Sequence, residues 1–134
     1  MKFDTIIIGG GLSGLISGIY LSQRGQRCVI ISSGQSALHF SSGSFDLLNN
    51  LPDGTSVQKP LDAISELVKQ APTHPYAKLG ETKFKELAQQ AEEFFKNAGI
   101  STQGDHEENH YRVTPMGTLK PTWLTQACTN GSVV

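Results

Sequence analysis

The start of the chain alternates between short apolar runs and glycine-rich or polar turns. A β-branched run at residues 5–8 leads into three glycines, and a second apolar run occupies residues 27–31. Between them, apolar residues lie almost all round a helix predicted over residues 12–24, which Gly25 is suited to end. Near-continuous apolar strands are typical of parallel sheets with helices on both faces. The pattern therefore predicts a strand–helix–strand unit, with residues 3–8 as a first strand buried on both faces.

Two more helices are predicted further along. Apolar residues recur at helical spacing over residues 61–71, and Pro72 ends that segment because the residue before a proline disfavours the helical conformation. A longer helix is predicted over residues 81–98, before Gly99. Its apolar face consists of Phe84, Leu87, Ala88, Ala91, Phe94, Phe95 and Ala98. We expect this face to pack in a core, and the charged face, with Glu–Lys pairs four residues apart, to be solvated.

A β-hairpin is predicted towards the end of the chain. Residues 111–114 alternate as a strand, residues 115–118 form a turn, and a second extended run covers residues 119–124. Trp123 is expected to be at least partly buried. The polar segment 105–110 is expected to be a hairpin loop.

Together these elements predict an α/β fold of the Rossmann-like FAD/NAD(P)-binding type. Its parallel sheet is incomplete, because only two parallel strands are found, and helices and a β-hairpin are added to it. We expect residues 1–48 to form the βαβ nucleotide-binding unit and residues 49–134 to form a helical and hairpin region. No element is predicted over residues 126–134, and His74, between two prolines, is expected to be a surface loop residue.

The charge balance of the chain gives no support for a nucleic-acid partner, and its cysteines indicate the redox compartment. The 134 residues carry 11 basic and 12 acidic side chains, a formal net charge of −1, so no electrostatic argument favours nucleic acid. The cysteines, Cys28 and Cys128, lie far apart without a C-x-x-C motif, and Cys28 falls in a strand pattern as a small buried residue. This usage indicates a reducing compartment. We expect no signal peptide, because Asp4 and the glycines interrupt the N-terminal apolar run.

The glycine turn is the clearest candidate for chemistry. Gly9, Gly11 and Gly14 form G-x-G-x-x-G between a predicted strand and a predicted helix, the context that this fingerprint requires. Gly9 allows a sharp turn, Gly11 lets a phosphate approach the backbone, and Gly14 lets the helix lie close to the strand. Helix N-termini favour anions. The predicted cofactor-binding residues here are Gly9, Gly10, Gly11, Leu12, Ser13 and Gly14.

The fingerprint lacks its acidic residue. An Asp or Glu that holds the ribose of NAD or FAD is expected at the end of the second strand, where Ser32 and Ser33 stand instead. A hydroxyl binds ribose more weakly than a carboxylate does. An NAD-binding domain is therefore disfavoured, and both serines are kept as candidate cofactor contacts.

A serine-rich segment over residues 35–50 supplies further candidates. Ser41, Ser42, Gly43 and Ser44 combine hydroxyl donors with a glycine that allows close backbone approach, which suits a phosphate or a flavin edge. The alternative is an ordinary serine–glycine loop. No catalytic residue is identified, and His39 is only a weak candidate.

Two other motifs leave alternatives open. Residues 106–110 read His-Glu-Glu-Asn-His, the H-E-x-x-H of zinc proteases. This segment has no apolar residue, follows Gly104-Asp105 and runs into a predicted strand, which disfavours a zinc helix. No metal site is predicted.

Arg112 and Lys120 are candidates to face a phosphate, with the hydroxyl groups of Thr114, Thr118 and Thr122 as further donors. The alternative is a pair of solvated charges.

Longer motifs resemble one family. The sequence is similar to the B subunit of bacterial anaerobic glycerol-3-phosphate dehydrogenase, and the resemblance runs to residue 124. It rests on Gly34-Gln35-Ser36-Ala37-Leu38-His39-Phe40-Ser41-Ser42-Gly43-Ser44, on Ala71-Pro72-Thr73-His74-Pro75-Tyr76 and on Arg112-Val113-Thr114-Pro115-Met116-Gly117-Thr118-Leu119-Lys120. The serine-rich run is more specific than the glycine turn. Only the N-terminal portion of such a protein is covered, and residues 126–134 depart from the family.

The resemblance implies a function that the spacing alone does not. It implies a flavoprotein with FMN (or FAD as the alternative), in a complex with an FAD-containing A subunit and an iron–sulfur C subunit. The complex oxidises sn-glycerol 3-phosphate to dihydroxyacetone phosphate and passes electrons to quinone in anaerobic respiration. The expected location is cytoplasmic, peripheral at the inner membrane. FMN has no adenosine ribose, so it agrees with the missing acid. The alternatives are a non-catalytic electron-transfer or assembly protein of that complex and an inactive fragment.

Overall fold

The computed structural model describes residues 1–127 and divides the chain into two compact units, Met1–Ser42 and a second unit that begins at Gly43. In chain order the elements are β1 (Thr5–Ile8), α1 (Leu12–Ser22), β2 (Cys28–Ile31), a 3₁₀ turn (Ala37–Phe40), β3 (Ser44–Phe45), α2 (Ile64–Gln70), α3 (Pro75–Asn97), β4 (Thr102–Gln103), β5 (His110–Val113), β6 (Leu119–Thr122) and β7 (Leu124–Gln126). The α/β class and the predicted strand–helix–strand order are confirmed.

The first unit is a β1–α1–β2 motif. The two strands pair in parallel, with Thr5 beside Cys28 and Ile8 beside Ile31. The backbone and side-chain nitrogens of Arg27 donate to the carboxylate of Asp4 at 2.9–3.2 Å. The Arg27 guanidinium, together with its backbone N–H, holds the pKa of Asp4 below its ordinary value.

The expected burial of β1 on both faces is wrong. Its residues alternate between half-buried and exposed, and Ile6 and Ile8 are 62% and 88% exposed. Helix α1 covers the other face. At Gly18 the helix backbone lies so close to the strand that an added Cβ would be 3.3 Å from Ile7 Cδ1. A two-stranded sheet with one helix is therefore covered on one side only within the described residues. Cys28 is half-buried rather than buried, and it is free; Cys128 lies outside the described residues.

The second unit contains an antiparallel sheet and a separate hairpin. Strand β7 lies between β3 and β4, and β5 pairs with β6 as the predicted hairpin. The expectation that residues 105–110 form a hairpin loop is wrong, because this segment leads from β4 into β5, and those strands lie in different sheets. Gln126, for which no element was predicted, is the last residue of β7.

Helix α3 is kinked at Gly80, whose φ of 72° and ψ of 166° are not helical, and the part after the kink is the helix predicted over residues 81–98. Part of its predicted apolar face packs in a core, whereas Leu87 and Ala98 are exposed. Its face buries Phe84, Ala88 and Phe95, and the last two join Trp123 and Leu124 in one of the two cores. The other core contains Leu48, Leu51, Val57, Ile64, Leu67 and Phe84. Trp123 is 7% exposed, which confirms its predicted burial.

Both ends of α3 are capped. Gly99 has φ 72°, and the amides of Gly99 and Ile100 donate to the carbonyls of Lys96 and Phe95, the paired bonds of a Schellman motif. At the other end, Nδ1 of His74 accepts from the Tyr76 amide at 3.2 Å. His74 is therefore a helix cap rather than the surface loop residue we expected. No helix in the described part of the chain is long and apolar enough to cross a membrane.

Candidate functional site

The β1–α1 turn has the geometry of a phosphate-binding turn. Gly9 has φ 112°, a conformation that strains any residue with a Cβ, and its amide donates to Ile31 O at 2.8 Å, which ties the turn to the end of β2. A Cβ on Gly14 would overlap the carbonyl oxygen of Gly9. Gly14 therefore allows the close helix–strand approach for which the fingerprint needs a glycine.

The N-terminus of α1 is open. Gly11 is the N-cap, with no side-chain hydrogen bond to the first turn and no acidic residue in that turn. A Cβ on Gly11 would meet no heavy atom within 4 Å. Leu12 and Ser13, the first two helical residues, are exposed. The amides at a helix N-terminus have no partner within the helix, so this end can bind an anion.

Ser32 lies beside the glycine turn, as the fingerprint spacing requires. A Cβ on Gly10 would lie 3.0 Å from Ser32 Oγ, so the serine hydroxyl is next to the second glycine. Ser33 follows it, and both serines are exposed. The structure thus brings Gly9–Gly14 together with the end of β2.

The serine-rich segment is divided between the two units. Ser36 Oγ accepts from the Leu38 amide and begins the 3₁₀ turn. Ser41 and Ser42 end the first unit, whereas Gly43 and Ser44 begin the second. Ser44 pairs with Thr125 across β3 and β7, and Gly43 O accepts from the Gln126 amide. A cofactor-lining role for these four residues stays a prediction.

The hairpin β5–β6 presents a polar face. Arg112 lies directly opposite Lys120 in register, and Lys120 Nζ donates to the carboxylate of Asp46. The Nε atom of Arg112 is buried and makes no hydrogen bond within the described residues. Thr114 Oγ1 lies 2.8 Å from Thr118 Oγ1 at the turn end of the hairpin.

A polar network between α3 and the loop before β5 was not predicted. Glu92 accepts from Trp123 Nε1 at 2.9 Å and from His106 Nδ1 at 3.1 Å, so the expectation that the charged face of α3 is simply solvated is wrong at this residue. His106 is 8% exposed, and its Nε2 lies 3.2 Å from the amide nitrogen of Gln89. The network borders a cleft of about 760 Å³ that Lys96 also lines.

The second histidine of the H-E-x-x-H segment points elsewhere. His110 Nε2 lies 2.8 Å from Thr125 Oγ1, on strand β7. The segment is not helical, so it lacks the geometry of a zinc-protease helix. Among the described residues no group of three or more His, Cys, Asp or Glu side chains could hold a metal ion.

Two asparagines that anchor the hairpin were also missed. Asn109 is 4% exposed, and its Nδ2 donates to Leu48 O at 2.9 Å and to Val57 O at 2.8 Å. Asn49, which is half-buried, donates from Nδ2 to Pro121 O at 2.9 Å. Together they attach both strands of the hairpin to the loop that follows β3. A single sequence carries no signal for such contacts, because an asparagine in a polar loop is usually exposed.

Sequence comparisons agree with the turn geometry. The profile of the FAD binding domain family matches residues 4–132. Relatives named as the B subunit of anaerobic glycerol-3-phosphate dehydrogenase are 50% identical in Pectobacterium atrosepticum, 55% in Yersinia pestis and 50% in Haemophilus ducreyi, over 95%, 95% and 93% of this chain. The chain spans 30%, 30% and 29% of the length of these relatives. No solved structure matches.

These matches confirm the resemblance found in the sequence. They also confirm the Rossmann-like fold class, and they support a flavin cofactor, with FAD as the form that the family name specifies. Strand β1, helix α1 with its open N-terminus and strand β2 all lie within the matched range. The chain belongs to the FAD binding domain family.

Proposed function

We propose that this chain is the nucleotide-binding part of a flavin-dependent protein that oxidises sn-glycerol 3-phosphate to dihydroxyacetone phosphate and passes the electrons to quinone. The names of the relatives, which describe the B subunit of an anaerobic glycerol-3-phosphate dehydrogenase, support the reaction and the existence of a complex. The A and C subunits are the partners that we propose, with the complex on the cytoplasmic face of the inner membrane.

The open N-terminus of α1 is the observation that carries the proposal. A Cβ on Gly11 would meet no heavy atom within 4 Å beyond its chain neighbours, and the first turn has no side-chain cap. A phosphate there accepts from backbone amides and interacts favourably with the helix dipole. The residues present therefore fit the phosphate of a flavin nucleotide.

The form of the flavin is the finer part of the proposal. Ser32 lies beside Gly10 where a carboxylate ordinarily holds the adenosine ribose. This favours FMN, which has no such ribose, whereas the family name favours FAD. When bound, either flavin supplies an acceptor for two electrons.

The test uses two substitutions, one at the N-cap and one at the last residue of α1, in the native complex. Gly11 has φ −77°, which suits any residue, so Gly11→Val should fold normally while its side chain enters the phosphate space. We expect loss of flavin from the purified protein with unchanged far-UV circular dichroism. Ser22→Val, at the other end of α1, is the matched control and should retain flavin.

The outcomes separate the parts of the proposal. A Gly11→Val complex with the wild-type flavin content would refute the phosphate site. A colourless wild-type B subunit, once separated from the A and C subunits, would refute the flavin assignment itself. The mass of the cofactor released when that separated subunit is denatured distinguishes FMN from FAD.

A further inference from the structure

We propose that the polar face of the β5–β6 hairpin binds the phosphate group of a phosphate monoester, with Arg112 as its principal ligand. The inference rests on the proposed function, since it assigns this chain a contact with the phosphorylated substrate. It concerns residues of the second unit only.

Strand register places the donors on one face. Residues two apart on a strand lie on the same side, and directly opposite residues on an antiparallel pair have Cβ atoms about 4.5–5.5 Å apart. Arg112 lies opposite Lys120, and Thr114, two residues after Arg112, faces Thr118, two residues before Lys120, at 2.8 Å between hydroxyl oxygens. One guanidinium, one ammonium and two hydroxyl groups therefore converge on a short strip.

The charges of Arg112, Lys120 and Asp46 together favour the binding of an anion. Like charges directly opposite each other on paired strands are destabilising. The Lys120 ammonium pairs with Asp46, but Arg112 has no salt-bridge partner among the described residues, so these three groups together keep a positive charge. An anion on the strip would offset this repulsion.

Arg112 has an unsatisfied donor. Its buried Nε makes no hydrogen bond within the described residues, a costly state for a charged group. The Nε–H and a neighbouring Nη–H form the edge of the guanidinium that binds two phosphate oxygens at once. A phosphate bound at this edge would supply the acceptor that the buried Nε–H lacks.

The hydroxyl groups of Thr114 and Thr118 provide a further donor to a bound phosphate. In the Thr114–Thr118 pair only one hydroxyl donates to the other, so one hydroxyl proton remains to be donated. A tetrahedral phosphate has enough acceptor oxygens for this hydroxyl, the Arg112 edge and Lys120. A planar carboxylate has two oxygens and fits the strip less well.

Direct binding is measured first, without any enzyme assay. Urea unfolding of the full chain, followed through the fluorescence of its single tryptophan, is compared in inorganic phosphate, acetate and chloride at equal ionic strength. Phosphate stabilises proteins partly by exclusion from their surface, so we take as binding only the part of its rise in the unfolding midpoint that depends on Arg112. Arg112→Gln should remove that part, Arg112→Lys should keep some of it, and Lys83→Gln, an exposed lysine paired with Glu86 on α3, should keep all of it.

Kinetics in the native complex complete the test. For Arg112→Gln we expect the KM for glycerol 3-phosphate to rise about tenfold to a hundredfold, with kcat and flavin content unchanged. A phosphate effect equal in wild type and Arg112→Gln, or an unchanged KM, would overturn the proposal. If phosphate binding depends on Arg112 but glycerol 3-phosphate is not oxidised, the site stands and the proposed function fails. If oxidation proceeds with wild-type KM in Arg112→Gln, the function stands and the site fails.

Discussion

Replacing Asn109 with alanine should destabilise the second unit more than any change to an exposed polar residue. Asn109 directly precedes β5, and its side-chain amide donates to two carbonyl oxygens, those of Leu48 and Val57, at 2.9 and 2.8 Å. The residue is 4% exposed, so water cannot easily replace these bonds. Asn109→Ala therefore leaves two buried acceptors unpaired and removes an anchor of the hairpin.

The magnitude follows from the number of acceptors. Each buried polar group left unsatisfied costs about 1–3 kcal/mol, so the two acceptors left by Asn109→Ala should lower the free energy of unfolding by roughly 2–6 kcal/mol. Asn49 donates one side-chain bond, to Pro121 O in the partner strand, and it is only partly buried. Asn49→Ala is the matched control, and its cost should be about half as large.

The assay uses a probe that the chain already contains. Trp123, the single tryptophan, is 7% exposed in the second unit, so its emission reports the unfolding of that unit in urea. With an m-value of about 1–3 kcal/mol/M, the midpoint should fall by roughly 1 M or more for Asn109→Ala. The reasoning is wrong if Asn109→Ala costs less than about 1 kcal/mol, or if Asn49→Ala costs as much as Asn109→Ala.

Two further predictions concern charged groups. A hydrogen bond from the Thr55 amide lowers the pKa of Asp53 in the folded protein below its ordinary value of 3.8. The ionised carboxylate therefore stabilises the fold fully above pH 3.8, and this stabilisation is lost as the pH falls through the lowered pKa of the folded protein. Thermal unfolding should therefore separate wild type from Asp53→Asn at neutral pH, and the difference should vanish in strong acid. Glu92→Ala removes the acceptor of the Trp123 indole and should cost about 2 kcal/mol in urea unfolding, whereas Glu93→Ala, a neighbour on α3 that is not part of this network, should cost almost nothing.

Local signals account for the parts of the fold that the sequence predicted. The parallel pair of strands follows from two β-branched runs separated by one helix, and α3 ends before Gly99 because a glycine adopts the positive φ that a Schellman cap needs. The glycine turn was predicted for the same reason, since Gly9 and Gly14 act on neighbours within a few residues. These three features could be predicted because they depend only on interactions between residues close in sequence.

Burial of β1 was predicted wrongly because the rule used assumes a complete sheet. A continuous apolar run indicates cover on both faces only where helices lie on both faces. Within the described residues of the first unit one helix covers one face, and Ile6 and Ile8 stay exposed. Composition of a strand shows what it can bury, and neighbouring elements determine what it does bury.

The sequence by itself therefore determined the βαβ unit, the open helix N-terminus and the hairpin, because each depends on backbone preferences of adjacent residues. Tertiary structure decided which polar groups meet. Asn109 reaches a carbonyl 61 residues away, Trp123 donates to a carboxylate 31 residues away, and Lys120 pairs with an aspartate 74 residues away. No local pattern encodes such pairings, since they depend on how separate elements pack, and this packing is what places Arg112 on a charged strip with an unsatisfied donor.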